Sequence, residues 1–404
     1  MSRLLRIALI LFILCAFSTA YALEEVKLDV ENSPFDNTEV IEHNDVHHGD
    51  YHEISTMPVS KEEVRRDLKS KVKDVFELEV TNNEVPQYLL DGILTKHLDK
   101  GPLESIGIWG LYRGSLNIDF LQNDTDTMYN YNIMETRLHG DFRNKKTSFV
   151  ITTRFVPQDE FSFMQNMFSD VFIRHKFNKN TTITAGNMRV CTGYEGGRSE
   201  TLLPFFAYAQ IGRQLGNIRK VGARVQGKYD LIEYDLGAFS SGTYFREYFP
   251  GAEFCGWVNL KPLGKTDGRY GKLIVGGGVS SGRRHFDYTV AGGYIRYNYK
   301  KFGVDFEISN ADGYNGRRGP SQNEAYGYYT TLYYNLTNKV QLLARYDEFT
   351  PNKDHSSYRT CEYVTGLNYF IKGQALKLML NYIFREDNAA GNSHRILIGT
   401  QVML

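Results

Sequence analysis

From Ser105 onward, the apolar and polar residues of this 404-residue chain alternate with a period of two. Within one stretch, the apolar side chains of Met134 and Leu138 alternate with the charged side chains of Glu135 and Arg137. The same division recurs later in the chain, in residues 221–229, 303–308 and 340–347. Because successive side chains of a β-strand point to opposite faces, this pattern predicts strands with one apolar and one charged face.

The alternation divides the chain into about sixteen predicted strands, most of them about ten residues or longer. They lie near residues 105–121, 129–142, 146–157, 167–177, 181–190, 218–229, 231–240, 253–262, 270–280, 286–300, 301–310, 324–337, 338–349, 359–371, 374–386 and 393–404. Short turns alternate with longer loops between these strands, and residues 191–217 are the longest connection. A soluble sandwich has no reason to alternate its connections in this way. We therefore predict an all-β fold, a transmembrane antiparallel β-barrel of about 16 strands in a bacterial outer membrane.

The end of the chain and its aromatic residues fit the same barrel. Residues 396–404 alternate to the last position, and residues 399–404 have the Gly-x-x-apolar-x-apolar form of an outer-membrane assembly signal, with Leu as the final residue. Aromatic side chains near strand ends form girdles where a barrel meets the membrane surfaces. We expect these girdles to include Tyr297, Tyr299, Tyr333, Tyr334, Tyr382 and Phe384.

The chain divides into four predicted segments. Two arginines, an apolar stretch and a small-x-small site identify residues 1–22 as a signal peptide. Residues 23–59 are polar and acidic without a period, which predicts a flexible acidic tail in the periplasm. Residues 60–104 carry two amphipathic patterns at helical spacing and predict a short helical segment, a spacer or a surface for a periplasmic partner. The barrel is predicted to occupy residues 105–404.

The charge balance narrows the classes of partner. The formal net charge is +0, from 47 Lys+Arg and 47 Asp+Glu. This zero is a cancellation, because residues 23–104 carry a net charge of about −11 and the residues from 105 onward about +9. A balanced chain argues against a nucleic-acid binder and against a polybasic protein of the membrane surface.

Cysteine and histidine residues give little sign of a disulfide or a metal site. Cys191, Cys255 and Cys361 are an odd number at wide spacing, so the sequence predicts neither a disulfide framework nor a Cys-x-x-Cys site. His43, His47, His48 and His52 lie among acidic residues and could bind Zn²⁺ or Ni²⁺. A solvated linker is the favoured interpretation, because a metal site requires fixed geometry. We predict no metal and no cofactor.

Several motifs of the barrel resemble those of one known family. Residues 186–189, Gly-Asn-Met-Arg, are similar to its Gly-Gln-aromatic-Lys before the third outer loop, and Gly193, Glu195 and Ser199 follow as in that loop. Its return strand and last strands are matched by residues 219–227, 343–346, 366–369 and 376–382. In this order and spacing the motifs resemble the phosphate-selective porin O and P family, over roughly residues 105–404. The resemblance implies a trimeric, sixteen-stranded pore with a preference for anions such as phosphate. The chain departs from the family pattern in two places. Residues 190–192 replace the proline-rich stretch that follows the Lys of the family motif, and the acidic tail has no counterpart in that pattern.

The inner face and the longest loop carry the candidate functional residues. By strand parity, the basic residues of the lumen wall are Arg113, Arg137, Arg154, Arg174, Arg224, Arg296 and Arg345. The acidic residues of the wall are Asp119, Glu135, Asp141, Asp170, Glu233, Asp235, Asp305, Glu307 and Asp347. Loop 191–217 and its flanks offer an anion-binding constriction formed by Arg189, Arg198, Arg213, Arg219 and Lys220. If the loop folds into the lumen, these side chains would replace part of an anion's hydration.

Each of these assignments has an alternative. The wall charges can form salt-bridged ladders that stiffen a polar interior. The basic loop can instead lie outside and contact lipopolysaccharide phosphates.

The predicted function is passive diffusion of small hydrophilic solutes through an outer-membrane porin that prefers anions. Expected partners are outer-membrane lipid, lipopolysaccharide, small anionic solutes and further copies of the chain in a homotrimer, with no nucleic acid. No Gly-x-Ser-x-Gly or His-Glu-x-x-His motif occurs, so no enzyme is predicted. The alternative is a non-conducting barrel that acts as an adhesin or an envelope tether through its tail.

Overall fold

The computed structural model describes residues 95–120, 125–155, 167–242, 249–266, 268–313 and 323–403. Within these ranges, one short strand is followed by sixteen long strands. The short strand is β1 (Thr95–His97). The long strands are β2 (Leu103–Phe120), β3 (Thr125–Phe142), β4 (Thr147–Phe155), β5 (Phe168–Lys176), β6 (Thr181–Arg189), β7 (Arg219–Lys228), β8 (Ile232–Ser240), β9 (Ala252–Leu260), β10 (Lys272–Arg283), β11 (Asp287–Tyr299), β12 (Phe302–Asp312), β13 (Glu324–Asn335), β14 (Val340–Thr350), β15 (Thr360–Lys372), β16 (Leu376–Asp387) and β17 (Ser393–Met403).

The sixteen long strands form a closed antiparallel barrel. Each strand from β2 to β16 pairs with the strand that follows it, and β17 returns to pair with β2. In this last pairing His394 lies opposite Phe120 and Met403 lies opposite Leu111. The predicted all-β barrel of about 16 strands is confirmed, and the predicted strand bounds differ from the observed ones by a few residues.

Strand β1 lies outside the predicted strand set. It pairs with β2, with Thr95 opposite Gly107 and His97 opposite Ser105. The prediction of a helical segment over residues 60–104 is therefore wrong for residues 95–104, which contain β1, a non-helical connection and the first residues of β2. The physical reason is that β17 pairs with β2 only from Leu111 onward, which leaves the earlier residues of that edge available to another strand. Residues 60–94 of the predicted helical segment lie outside the described residues, as do the predicted signal peptide and acidic tail.

The predicted division into two faces is confirmed. On the outer face, Ile295, Leu332 and Leu342 are exposed, as expected for side chains that meet lipid. On the inner face, Asp305 and Glu307 are buried. The charged faces of the strands therefore line the lumen, and the apolar faces surround the barrel.

The aromatic girdle needs one correction. The rings of Tyr297 and Tyr299 stack on the outer face with centroids 6.5 Å apart, and Tyr334 is 44% exposed. Tyr333, in contrast, is buried and donates its hydroxyl to Oδ1 of Asp305, 3.0 Å away. Neighbouring residues of a strand face opposite sides, so Tyr333 and Tyr334 do not share the girdle.

Two short helices lie among the described residues between β6 and β7. They are a 3₁₀ helix (Glu200–Leu202) and the α-helix α1 (Gln210–Gln214). No helix of the described ranges combines the length and the apolar composition that a membrane crossing requires.

We predict that Ile295→Lys lowers the free energy of unfolding by about 2–4 kcal/mol, because it places a charge near the middle of the lipid-facing side of β11. The matched control is Tyr299→Lys on the same face at the end of the strand, for which about 0–1 kcal/mol is expected. Urea unfolding in lipid vesicles measures both values. Equal losses at the two positions would contradict the assignment of the outer face.

Candidate functional site

The long connection between β6 and β7, residues 190–218, folds into the barrel; we call it the inward loop. Its backbone amide at Phe206 donates to Oδ1 of Asn381 on β16 at 3.0 Å. The side-chain amide of Asn368 on β15 donates to the carbonyl oxygen of Pro204 at 2.7 Å. Loop and opposite wall are therefore in direct contact across the lumen.

Wall carboxylates hold the amides of the inward loop. Glu307 on β12 accepts hydrogen bonds from the backbone amides of Tyr194 and Glu195, at 2.5 and 3.0 Å. Gly193 precedes them with a φ of 76°, and a Cβ at this position would lie 2.7 Å from Oε1 of Glu307. The glycine therefore allows the loop to approach the carboxylate closely.

Wall cations hold the carbonyls of the same loop. Lys377 on β16 donates to the carbonyl oxygen of Leu203 at 3.1 Å, and Arg113 on β2 donates to that of Phe205 at 3.3 Å. Both basic side chains are at most 1% exposed. The inward loop has little secondary structure of its own, so these bonds satisfy backbone groups that would otherwise be buried without partners.

A disulfide fixes the beginning of the inward loop. Cys191 in the loop is bonded to Cys255 on the inner face of β9, and Cys361 is a buried free thiol. The prediction that the sequence contains no disulfide is therefore wrong. The two residues are 64 positions apart, and their Cα atoms are 6.4 Å apart only because the loop folds inward. An exported protein reaches a compartment in which such bonds persist.

Apolar packing surrounds the disulfide. Tyr194 stacks on Tyr294 of β11 with ring centroids 4.4 Å apart, and Tyr294 stacks in turn on Trp257 of β9 at 6.0 Å. Both cysteines and Met188 belong to the same buried cluster. This part of the lumen is therefore filled by a hydrophobic core.

A cavity of about 40 Å³ lies between the inward loop and strands β3 to β7. It has five arginines and three carboxylates among its lining side chains, and we call it the arginine cavity. The arginines are Arg137, Arg154, Arg189, Arg219 and Arg224, and the carboxylates are Glu135, Asp170 and Glu200. The formal charge of this lining is positive by two.

The carboxylates of the arginine cavity are shared among several arginines. Arg154 binds Glu200 through both terminal nitrogens, at 3.2 Å each, and donates its Nε to Glu135 at 2.6 Å. Arg219 donates to Asp170 at 2.9 Å. Such forked arginine contacts are the geometry in which guanidinium groups also bind phosphate and other oxyanions.

The charges around Glu200 change its acidity. Burial alone would raise the pKa of the Glu200 carboxyl above its ordinary value of 4.5. The positive charges of Arg154, Arg189 and Arg219 outweigh burial and lower the pKa of Glu200 to about 2. The carboxylate is therefore ionised at neutral pH and links the inward loop to the wall.

The five residues predicted to form a constriction are not all together. Arg189 and Arg219 line the arginine cavity. Arg198 lies over the ring of Tyr194 in the inward loop. Arg213 pairs with Glu362 at 2.7 Å, and Lys220 pairs with Glu253. The loop thus enters the lumen, but its basic residues are distributed over several contacts.

All seven predicted lumen-wall arginines have contacts within the protein or line the arginine cavity. Arg137, Arg154 and Arg224 line the arginine cavity, and Arg113 holds the loop as described. Arg296 pairs with Asp305 at 3.2 Å, and Arg345 pairs with Glu195. The ion pairs of Arg137, Arg154, Arg224, Arg296 and Arg345 are the contacts that salt-bridged ladders require. The seventh, Arg174, lies over the Phe172 ring at 5.2 Å.

Several further charged residues of the inner face were not among the predicted residues, among them Glu253, Glu362, Lys377, Arg385, Asp387 and Arg395. Each lies on the inner face of a strand, so the parity that identified the others could have identified them. The contacts of Glu362 and Lys377 with the inward loop depend on the folded path of the loop, which has no sequence signal.

Within the described ranges, no group of three or more His, Cys, Asp and Glu side chains is placed to hold a metal ion. The predicted histidine cluster at residues 43–52 lies outside those ranges.

The comparisons agree with a porin fold. The family described as Phosphate-selective porin O and P matches residues 265–404, about the last third of the chain, so the family resemblance is confirmed there. An anion-selective porin from Comamonas acidovorans has a TM-score of 0.55 at 10% identity, over 74% of this chain and 99% of that chain. OmpF of Salmonella typhi, in complex with daunomycin, has a TM-score of 0.56 at 10% identity, over 74% of this chain and 98% of that chain.

A third similar structure is OmpT, an outer membrane protein of Vibrio cholerae, with a TM-score of 0.53 at 12% identity, over 76% of this chain and 100% of that chain. Identities this low show a shared fold alone. Among curated proteins, none matches the chain by sequence. The family match and the fold together support an outer-membrane channel.

We predict that Glu200 makes stability pH-dependent. Its folded pKa of about 2 is below the ordinary 4.5, so its contribution is present above about pH 5 and is lost as the pH falls towards 2. Between pH 6 and pH 3, Glu200→Gln should therefore lose about 2–3 kcal/mol less unfolding free energy than the wild type. The exposed Glu324→Gln is the control and should follow the wild type. Urea unfolding at both pH values checks this; parallel curves for all three proteins would refute the assignment.

Among Cys191, Cys255 and Cys361, we predict that Cys361 alone reacts with iodoacetamide in the denatured, unreduced protein. All three should react after reduction. Peptide mass spectrometry distinguishes the positions. The double variant Cys191→Ser, Cys255→Ser should lose about 2–5 kcal/mol of unfolding free energy, because the crosslink no longer restrains the unfolded chain. Labelling of all three thiols without reduction would show that the disulfide is absent.

Proposed function

We propose that this protein is an outer-membrane channel through which small hydrophilic solutes diffuse, with a preference for anions such as phosphate. The arginine cavity is the observation that carries the proposal. Its lining has two more arginines than carboxylates, and it lies between the inward loop and the wall of the barrel. A charge excess at a narrow, poorly hydrated place selects ions more strongly than the same charge in open water.

The polar contact of Arg189 leaves its positive charge in excess. Arg189 donates to the carbonyl oxygen of Arg198, which carries no formal charge, so this contact positions the guanidinium group without neutralising it. Arg224 donates to the carbonyl oxygen of Arg189 at 3.1 Å and also pairs with Asp235 at 3.4 Å. An entering oxyanion would meet guanidinium donors that are already oriented.

Assembly and location follow from the same proposal. The exposed apolar band of the outer face suits outer-membrane lipid, with lipopolysaccharide at the rim. We place the N-terminal tail in the periplasm and expect a homotrimer, as the family resemblance implies.

A second candidate is the non-conducting barrel. It is favoured by the filling of the lumen, since the inner-face side chains of Arg113, Arg296 and Lys377 are each at most 1% exposed. In that case the inward loop is a plug, and the barrel serves as an adhesin or a tether.

Planar bilayer recordings of the folded protein separate the two candidates, because a channel gives discrete current steps and a plugged barrel gives none. In a KCl gradient we predict that the reversal potential of the wild type lies towards the equilibrium potential of chloride. Arg189→Gln should shift this potential towards zero, because it halves the charge excess of the arginine cavity. Arg283→Gln is the matched control, since it removes an exposed arginine of the rim that pairs with Asp287. A cation-side potential for the wild type would refute the anion preference. Equal potentials for R189Q and wild type would refute the role of the arginine cavity in that preference.

A further inference from the structure

A second, larger cavity opens at the end of the barrel where β2 and β16 end and β17 begins. Its volume is about 410 Å³, and we call it the mouth cavity. Three arginines and three carboxylates line it: Asp119, Arg213, Glu362, Arg385, Asp387 and Arg395. Its formal charge is therefore zero, in contrast to the arginine cavity.

The register of four strands creates this arrangement. Glu362 on β15 lies opposite Arg385 on β16. One step further into the barrel, Arg395 on β17 lies opposite Asp119 on β2. Arg213 reaches the same cavity from helix α1 of the inward loop. Positive and negative groups are thus placed side by side around one opening.

The arginines remain more accessible than the acids. Arg385 is 42% exposed, while its partner Asp387, 2.8 Å away, is 13% exposed. Arg395 is 37% exposed, and its partner Asp119, 2.9 Å away, is 17% exposed. Surface pairs of this kind contribute little to stability and exchange readily for other partners.

We propose that the mouth cavity binds small zwitterions, that is, molecules with a carboxylate and an ammonium group, such as short peptides and α-amino acids. The carboxylate of the ligand binds the accessible forks of Arg385 and Arg395. Its ammonium group binds the carboxylates of Asp387 and Asp119. A ligand with both charges replaces each internal ion pair by two new ones, so that no charge in the cavity is left without a partner.

Simple ions fit this cavity less well. An inorganic anion gains from the arginines but meets three carboxylates in the same space, and a cation meets the reverse. The mouth cavity therefore favours a ligand that carries both a positive and a negative charge over a simple anion or a simple cation. This inference rests on the proposed function, because it names a solute class for the entrance of the same channel.

Glycylglycine is the probe, and calorimetric titration of the folded full-length protein in detergent measures its binding. We expect saturable binding that weakens by about tenfold when either charge is removed, in N-acetylglycylglycine or in glycylglycine amide. Equal binding of all three peptides, or no heat with glycylglycine, would overturn the proposal. This series uses the unaltered protein, so it decides the question without any variant.

The cavity is located by the double variant Arg385→Gln, Arg395→Gln, which should weaken binding of glycylglycine by about tenfold or more. Arg283→Gln is the control and should bind as the wild type does, because it lies outside the cavity. Equal binding by the double variant would place the site elsewhere and overturn the assignment.

Uptake by liposomes separates this inference from the proposed function. Binding without entry of glycylglycine into protein-containing liposomes supports the mouth cavity and contradicts the channel. Entry of all three peptides at one rate, without saturable binding, supports the channel and overturns the mouth cavity.

Discussion

The structure depends on a loop whose backbone must find its hydrogen-bond partners inside the barrel. The inward loop, residues 190–218, contains only two short helices, so many of its amides and carbonyls have no partner within the loop. A buried backbone group without a partner costs about as much as a lost hydrogen bond. Glu307 and Asp347 accept from loop amides, while Lys377 and Asn368 donate to loop carbonyls. The charged inner wall is thus the framework that makes a buried loop possible.

This arrangement explains how a barrel with excess positive charge can have a mostly paired wall. Pairs such as Arg296 with Asp305 hold the structure and leave little charge for solutes. Charge is left over where the loop meets strands β3 to β7, around the arginine cavity. At the mouth cavity the charges balance, but they stay accessible to water. The two cavities therefore present different chemistry, with paired opposite charges in the mouth cavity and a net positive charge in the arginine cavity.

Features that follow from strand parity could be predicted from the sequence, because parity is a local property of the chain. Asp305 and Glu307 were assigned to the lumen correctly for this reason, and parity could also have placed Tyr333 there. Features that follow from the path of the inward loop could not be predicted. Two examples are the disulfide between Cys191 and Cys255 and the ion pair of Arg213 with Glu362, outside the arginine cavity. Both depend on long-range packing, which has no periodic signal in the sequence.

The disulfide also bears on the order of assembly. Cys191 follows β6 and Cys255 lies in β9, so the covalent ring between them contains β7 and β8 complete. Strands within this ring pair with their neighbours in sequence, whereas closure requires β2 to meet β17 from the far end of the chain. Contacts between near neighbours form sooner than contacts between distant segments. The disulfide can therefore form while the strands are still an open sheet. The barrel then closes around an inward loop that is already covalently attached to β9.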